Sequence, residues 1–394
     1  MIGAILGDIV GSSREFKPIK TTDFKWIPKG SAFTDDSILS LATLDAVIHQ
    51  LDFAATYKHW GTTYPSPKGA YGVRFKEWLL SDSNEPYGSY GNGAPMRISP
   101  IGWLNLPLDE VLILAEKATA CTHNHPEAIK ASKTVVEAIW RLNRGAELKD
   151  VIPLVANTYG YSLDKSLAEM RPDYRFDESS QGTMPAVLRC LLESKSMESA
   201  IRNAVSLGGD ADTLASITGA LAEVAYPADY KWVCQVLSHV SEPFSNLIFK
   251  GLFDDRFRYI SKYDVNILKT IQGYKNTRYE IHWNDGIEVV LIDSKPRMNK
   301  TTIGIITGYN PHSQILPKEE NEARNASLIK KLEEFGCTCF NAFGTDPTGE
   351  WEAEKSFAVL GLTKAQITQL AVEFNQHAVV FMEEGMPPEL VWCS

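Results

Sequence analysis

In the first two thirds of the chain, apolar residues recur three and four positions apart. Segments 38–49 (ILSLATLDAVIH), 108–121, 126–143, 185–193, 197–206 and 213–225 are rich in Ala and Leu and present one apolar face each, which predicts helices. Clusters of Gly, Pro and Asn separate some of them, YPSPKGAYG at 64–72 and NEPYGSYGNGAP at 84–95. No β-rich run interrupts the pattern before about residue 265, so an all-α domain is expected. After about 275 the pattern changes. IEVVLI (287–292), TTIGIITGY (301–309), CTCFNAFG (337–344), SFAVLGL (356–362) and HAVVFME (377–383) read as strands, being rich in Val, Ile, Thr and Phe. Helical patterns at 317–335 and 363–376 lie among them, the second opening on Thr363 as N-cap. The expected organisation is a helical domain over 1–270 and a small α/β domain over 281–394, joined near the polar stretch QGYKNTRYE. A chain of 394 residues is too long for one ordinary domain.

Composition narrows the class. Hydrophobic residues make up 44% and charged residues 22%, the balance of a soluble globular protein. The net charge of −10 is uneven: residues 281–394 carry nine Lys/Arg against sixteen Asp/Glu, and the first 280 carry 30 against 33. Neither part has the basic excess of a general nucleic-acid binder. Of six cysteines only Cys337 and Cys339 are close, and their spacing is not that of a zinc ribbon. Reduced thiols in a cytoplasmic protein are expected. The opening MIGAILGDIVGSS lacks a basic start and carries Asp8, unlike a signal peptide. No run of eighteen apolar residues would span a membrane. No zipper-like repeat is present, and a monomer is expected.

Two acidic clusters stand just before amphipathic helices: Thr34-Asp35-Asp36-Ser37 and Gly208-Gly209-Asp210-Ala211-Asp212-Thr213. Each alone reads equally well as a helix N-cap, where Thr and Asp satisfy free N–H groups. The two together read differently. Behind two glycines, which permit unusual backbone angles, Asp-x-Asp-Thr offers more oxygens than a cap uses. Four carboxylates that met would repel one another and raise each other's pKa values. Hard divalent cations relieve that conflict, and without Cys or His in either cluster Mg²⁺ is favoured over Zn²⁺. Such a site has room for a metal pair about 3.5–4 Å apart.

Three further features accompany them. Gly3, Gly7 and Gly11 recur at spacing four around Asp8, which suits a closely packed helix or a backbone kept open for a ligand, and Glu15 follows. Gly91-Asn92-Gly93-Ala94-Pro95-Met96-Arg97 is either a turn before a helix or a loop that brings N–H groups to an anion. Thr122-His123 offers a ring to a phosphate or sugar, or simply starts a helix.

In this order the motifs identify a resemblance. Residues 1 to about 260 resemble the ADP-ribosylglycohydrolase family, also called the dinitrogenase reductase-activating glycohydrolase family. The resemblance rests on the Gly-rich start ending in Glu15, Thr34-Asp35-Asp36, Gly91-Asn92-Gly93 with Met96-Arg97, Thr122-His123, and Gly208 to Thr213. It implies an all-α fold with a dinuclear Mg²⁺ centre in a cleft. By matching position it implies Thr34, Asp35, Asp36, Asp210, Asp212 and Thr213 as metal ligands. Glu15 becomes a mobile acid near the scissile bond, and Glu15, Asp35 and Asp210 are the catalytic candidates. Asn92, Gly93, Met96, Arg97 and His123 would lie along ADP-ribose. The implied substrates are ADP-ribosylated proteins or small molecules, with nucleic-acid-linked ADP-ribose also open. Alternatives are hydrolysis of free ADP-ribose derivatives and binding without turnover.

The C-terminal region resembles a family of small bacterial domains of uncharacterised function. The resemblance is carried by Ile306-Thr307-Gly308-Tyr309-Asn310-Pro311, Glu320 to Asn325, and Glu354-Lys355-Ser356-Phe357. Asn321 and Arg324 either form a small-ligand site or, for Arg324, pair with neighbouring glutamates at helical spacing.

Overall fold

The computed structural model describes residues 1–227, 229–292, 301–349 and 351–393. The chain divides into two compact units, Met1–Tyr263 and Asp264–Ser394.

The first unit is helical. Among its described residues there is no strand, only the isolated bridges Thr34↔Lys68, Gly91↔Ser179 and Leu104↔Phe257. Its centre is a pair of helices far apart in sequence, Ile2–Gly11 and Ala211–Ala225. Every residue of the first is buried, and so are Ala211 to Val224 of the second, as expected of helices that are apolar all round. The glycines explain the pairing. A Cβ at Gly3 would stand 2.0 Å from the carbonyl oxygen of Gly219, one at Gly7 2.0 Å from that of Ala215, and one at Gly11 2.5 Å from that of Ala211. The two backbones therefore touch along one glycine stripe, the first of the two readings open to the sequence. Glu223 fixes the far end, accepting hydrogen bonds from the Met1 ammonium (2.6 Å), the Gly3 N–H (2.9 Å) and the Tyr263 hydroxyl (3.1 Å). The Asp35–His49, Ser180–Leu192 and Met197–Leu207 helices occur close to where the periodicity predicts them.

The second unit opens with the Val265–Asn276 helix, followed by strands β1 Arg278–Trp283, β2 Gly286–Leu291 and β3 Ile303–Ile306. The Lys318–Glu334 helix, β4 Thr338–Thr345, β5 Glu354–Leu360, the Lys364–Glu373 helix, β6 Ala378–Met382 and β7 Glu389–Trp392 complete it. The strands form one sheet in the order β2-β1-β4-β5-β3-β6-β7, antiparallel at every pairing. This corrects the expected α/β class: a sheet antiparallel at every pairing, with helices added to it, is α+β. Alternate residues of β3, β5, β6 and β7 supply two cores. Phe357 and Val359 pack with Leu328, Leu332 and Ile367 on one face, while Ala358 joins Ile281, Ile305 and Val380 on the other.

The expected linker is corrected. QGYKNTRYE is the end of one helix and the start of β1. There Tyr279 and Ile281 alternate with polar residues, the period-2 signal of a half-buried strand. Strand β7 also escaped the sequence reading, being four residues that follow two prolines. Thr363 caps its helix as expected, with a full capping box to Gln366.

Among the described residues Arg324 pairs with no glutamate. Its Nε and Nη2 donate to the carbonyls of Gly308 and Phe374. Asn321 exchanges hydrogen bonds with Asn310, whose backbone is left-handed at φ 44°. The polar residues of this motif hold one strained loop in place.

Candidate metal and substrate site

The N-terminus of the Asp35–His49 helix meets that of the Ala211–Ala225 helix, and the close pairing of the latter with Ile2–Gly11 adds a third acid. Asp8, Asp36 and Asp212 each offer a carboxylate oxygen, and these atoms lie within 4.8 Å of one another. All three are buried. One oxygen of each, Asp8 Oδ1, Asp36 Oδ1 and Asp212 Oδ1, has no hydrogen-bond partner among the described residues. A buried carboxylate oxygen without a donor costs free energy on the order of 1–3 kcal/mol, more when charged. A divalent cation is the partner that satisfies three at once, and an all-oxygen donor set suits a hard ion.

The remaining oxygens show how each acid is held. Asp8 Oδ2 accepts the backbone N–H groups of Thr34 (2.8 Å) and Ser37 (3.1 Å) and the Ser37 hydroxyl. It thus caps the Asp35–His49 helix from a neighbouring helix. Thr34 is that helix's own N-cap, accepting from the Asp36 N–H, so the capping reading holds for Thr34. It does not hold for Asp210, which stands at the N-cap of its helix without a side-chain capping bond. The Asp210 carboxylate instead accepts from Asn92 Nδ2 at 2.7 Å. Asp36 Oδ2 accepts from Thr34 Oγ1 (3.3 Å) and Thr213 Oγ1 (3.1 Å), joining the two sequence clusters. Gly208 and Gly209 have φ of 70° and 73°. A Cβ at Gly209 would stand 2.7 Å from the Arg175 carbonyl, so this turn requires glycine twice over.

Asp35 is half-buried. Burial, then the charges of Asp8, Asp210 and Glu15, push its carboxyl well above the usual range. Burial likewise raises Asp36 and Asp212 strongly, with neighbouring carboxylates adding to it, and burial raises Asp210. Asp8 is pushed up to about 6 by burial, against the hydrogen bonds it accepts. Glu15 is pushed up to about 7, first by burial and then by Asp210. A Cβ at Gly69 would stand 3.0 Å from Glu15 Oε2.

These shifts make metal-free stability depend on pH. A carboxyl raised in the folded state binds its proton more tightly there than in the unfolded chain. Its contribution is complete below the unfolded value, 4.5 for Glu15, and is lost as pH rises through about 7. In EDTA the thermal midpoint is therefore expected to fall between pH 5 and pH 8. Saturating Mg²⁺ should flatten that slope. A midpoint in EDTA that rises with pH over this window would contradict the crowded-carboxylate description.

Two contributors escaped the sequence reading. Asp8 was visible as a lone acid inside an apolar glycine stripe but was not read as part of the acidic site. Lys68 gave no signal. Its Nζ donates to Ser12 Oγ (3.1 Å) and the Gly30 carbonyl (2.8 Å), and it is the cation that the charges of Asp212, Asp8 and Glu15 act upon.

Among the residues expected along ADP-ribose, Asn92 is buried and its Nδ2 also reaches Thr183 Oγ1 at 3.1 Å. Gly93 lies against the His123 ring, since a Cβ there would be 3.3 Å from Nε2. Met96 is buried beside this loop, its Cε 3.8 Å from the same Cβ position. Arg97 calls for a correction. It is 0% exposed, with its guanidinium 4.1 Å over the Tyr57 ring, so it does not reach a ligand by direct contact. Its Nη2 donates to Thr122 Oγ1.

The sequence profile of the family described as ADP-ribosylglycohydrolase matches residues 1–229. A second profile, described as a protein of unknown function (DUF3293), matches residues 306–379. The chain is 28% identical over 264 residues to the ADP-ribosyl-[dinitrogen reductase] glycohydrolase of Rhodospirillum rubrum, covering 58% of this chain and 84% of that protein. It is 23% identical over 256 residues to the ADP-ribosylarginine hydrolase Tri1 of Pseudomonas putida (strain GB-1), covering 57% and 69%. A solved structure titled "ADP-ribosylglycohydrolase-related protein complex" aligns over 66% of this chain and 97% of its own, at 22% identity and a TM-score of 0.46.

Proposed function

Because this chain belongs to the ADP-ribosylglycohydrolase family, we propose that it is a Mg²⁺-dependent hydrolase that frees ADP-ribose from a modified target. The observation that carries the metal dependence is the set of three buried, unpartnered carboxylate oxygens of Asp8, Asp36 and Asp212. Thr34, Asp35, Asp36, Asp210, Asp212 and Thr213 hold two Mg²⁺ ions in this reading, with Asp8 joining them. When bound, the ions supply Lewis acidity toward ribose hydroxyls and an acidified water.

The rest falls to the chain. Cleavage at C1 of the distal ribose builds oxocarbenium character, as in other glycoside hydrolysis. Asn92 holds Asp210 in position and, with Gly93 and His123, orients ADP-ribose, which lowers the barrier by fixing the reacting geometry. Glu15, half-buried and pushed up to about 7, moves a proton near neutral pH, the value that serves a general acid or base best. After burial, the charge of Asp210 helps raise Glu15 to that value.

Arginine-linked ADP-ribose is the first substrate to test, given the name of the Pseudomonas putida relative. The assay compares arginine-, serine- and nucleobase-linked ADP-ribose in Mg²⁺ and in EDTA, following free ADP-ribose by chromatography. Release in Mg²⁺ alone is expected. Binding without release would mean a non-catalytic ADP-ribose binder, and release only from free small molecules would move the activity away from macromolecular targets.

A further inference from the structure

The Gly91–Gly93 loop, the Thr122-His123 pair and Arg97 form a chain of contacts whose hydrogen-bond directions can be assigned. Arg97 carries only donors, so at 2.5 Å its Nη2 donates to Thr122 Oγ1. That oxygen also lies 2.8 Å from His123 Nδ1. Thr122 is fully buried, and besides Arg97 and His123 its hydroxyl has beside it the Cys121 thiol, a weak acceptor. If Nδ1 carried a proton, the threonine oxygen would face two donors while its own hydrogen was left to the sulfur, without a strong acceptor. An unmade buried donor costs about 1–3 kcal/mol. The alternative satisfies the Thr122 hydroxyl and Nδ1 together: Arg97 donates to Thr122, and Thr122 donates to Nδ1.

The ring proton then sits on Nε2. Among the described residues that nitrogen makes no hydrogen bond, and it faces the loop, 3.3 Å from a Cβ position at Gly93 and 3.6 Å from one at Gly91. His123 itself is 5% exposed. The groups around the ring favour an uncharged imidazole. Burial and the guanidinium groups of Arg97 and Arg74 hold its pKa well below the usual histidine value, and the Tyr87 ring packs edge-on at 5.8 Å.

We infer that Arg97 is a positioning residue: through Thr122 it fixes His123 as the Nε2–H tautomer and so presents a single N–H donor over the Gly91–Gly93 loop. The acceptor is an oxygen of ADP-ribose, a step that rests on the reading of this loop as the substrate side. The assignment also accounts for an arginine with no carboxylate partner in a fully buried position. Stacking on the Tyr57 ring offsets part of the cost of burying the charge, and among the described residues its side chain makes one hydrogen bond, to Thr122, which sets the relay.

The test reads the tautomer directly. Protein labelled with ¹⁵N-histidine is examined by two-bond ¹H–¹⁵N correlation at pH 7, with the His123 signals among eight histidines identified by their loss in His123→Gln. The wild type is expected to show the Nε2–H tautomer. Thr122→Val, which keeps the shape and removes the relay, should shift His123 toward Nδ1–H or a mixture. It should also lower kcat/KM for ADP-ribose release roughly ten-fold or more. Thr122→Ser should restore both. An Nδ1–H ring or an imidazolium in the wild type, or an unchanged tautomer in Thr122→Val, overturns the assignment. The wild-type spectrum decides the tautomer even if a variant fails to fold. The spectrum needs no turnover, so a protein without hydrolase activity would refute the proposed function and leave the relay decided on its own.

Discussion

Replacing Asp212 by asparagine is expected to abolish Mg²⁺-dependent release of ADP-ribose and, in EDTA at pH 8, to raise thermal stability. The two effects have one cause. Asp212 brings a buried oxygen that no donor satisfies, and its carboxyl is pushed well up by burial together with Asp210, Asp36, Glu15 and Asp8. Without a cation, ionising this group places another negative charge among carboxylates, so removing the charge relieves the metal-free fold. With a cation, the same charge is what binds it. Loss of a metal contribution worth several kcal/mol predicts a fall in kcat/KM on the order of a thousandfold. In the wild type Mg²⁺ should raise the thermal midpoint by ligand linkage, and in Asp212→Asn that rise should shrink or vanish. Calorimetric scans with and without EDTA, beside the release assay, measure both. A variant that keeps its activity, or melts lower than the wild type in EDTA, removes Asp212 from the metal site.

The second large effect is expected at Gly7. An added methyl group would stand 2.0 Å from the Ala215 carbonyl oxygen and 2.8 Å from the Ser216 nitrogen. Both are backbone atoms of a buried helix, so no side chain can turn away to make room. Overpacking where side chains can adjust costs about 1–3 kcal/mol, and Gly7→Ala should exceed that. Total stability is only about 5–15 kcal/mol. The substitution also forces apart the helices that carry Asp8 and Asp212, so whatever folds should bind Mg²⁺ more weakly. Gly273→Ala is the control: it lies within the Val265–Asn276 helix with nothing within 4 Å of the added carbon. There the better helix propensity of alanine should stabilise by about 0.5–1 kcal/mol. Denaturant midpoints and Mg²⁺ titration compare the two. If Gly7→Ala unfolded at the wild-type midpoint, backbone contact would not be what pairs these helices.

How much was legible in the sequence follows from the range of each signal. Thr34-Asp35-Asp36 and Gly208 to Thr213 are local patterns, and their meeting could be suspected because two capping-like clusters offered more oxygens than caps use. Asp8 was harder to see. Its role exists only when the glycine stripe has paired two helices some 200 residues apart, and an isolated acid in an apolar run gives no direction. Arg97 stood in a motif that the sequence reading assigned to ligand contact. Only packing reveals that Tyr57 covers it and that its effect passes through Thr122. In the second unit the strands rich in Val and Ile declared themselves. β1 did not, because Arg278, Glu280 and His282 masked a period of two whose apolar members pack only once β2 and β4 flank it.

The backbone-to-backbone pairing of Ile2–Gly11 with Ala211–Ala225 has a consequence for the birth of the protein. During synthesis the first helix leaves the ribosome with Asp8 its one charged side chain, and the surface that buries its apolar residues does not yet exist. At about 5–20 residues per second, roughly 10–40 seconds pass before its partner is made. The first unit therefore cannot close its core progressively from the N-terminus. Its helices must be held apart from premature association until the chain has supplied nearly the whole unit, which makes the glycine stripe a late-closing seam and its exposed form a natural target for chaperones.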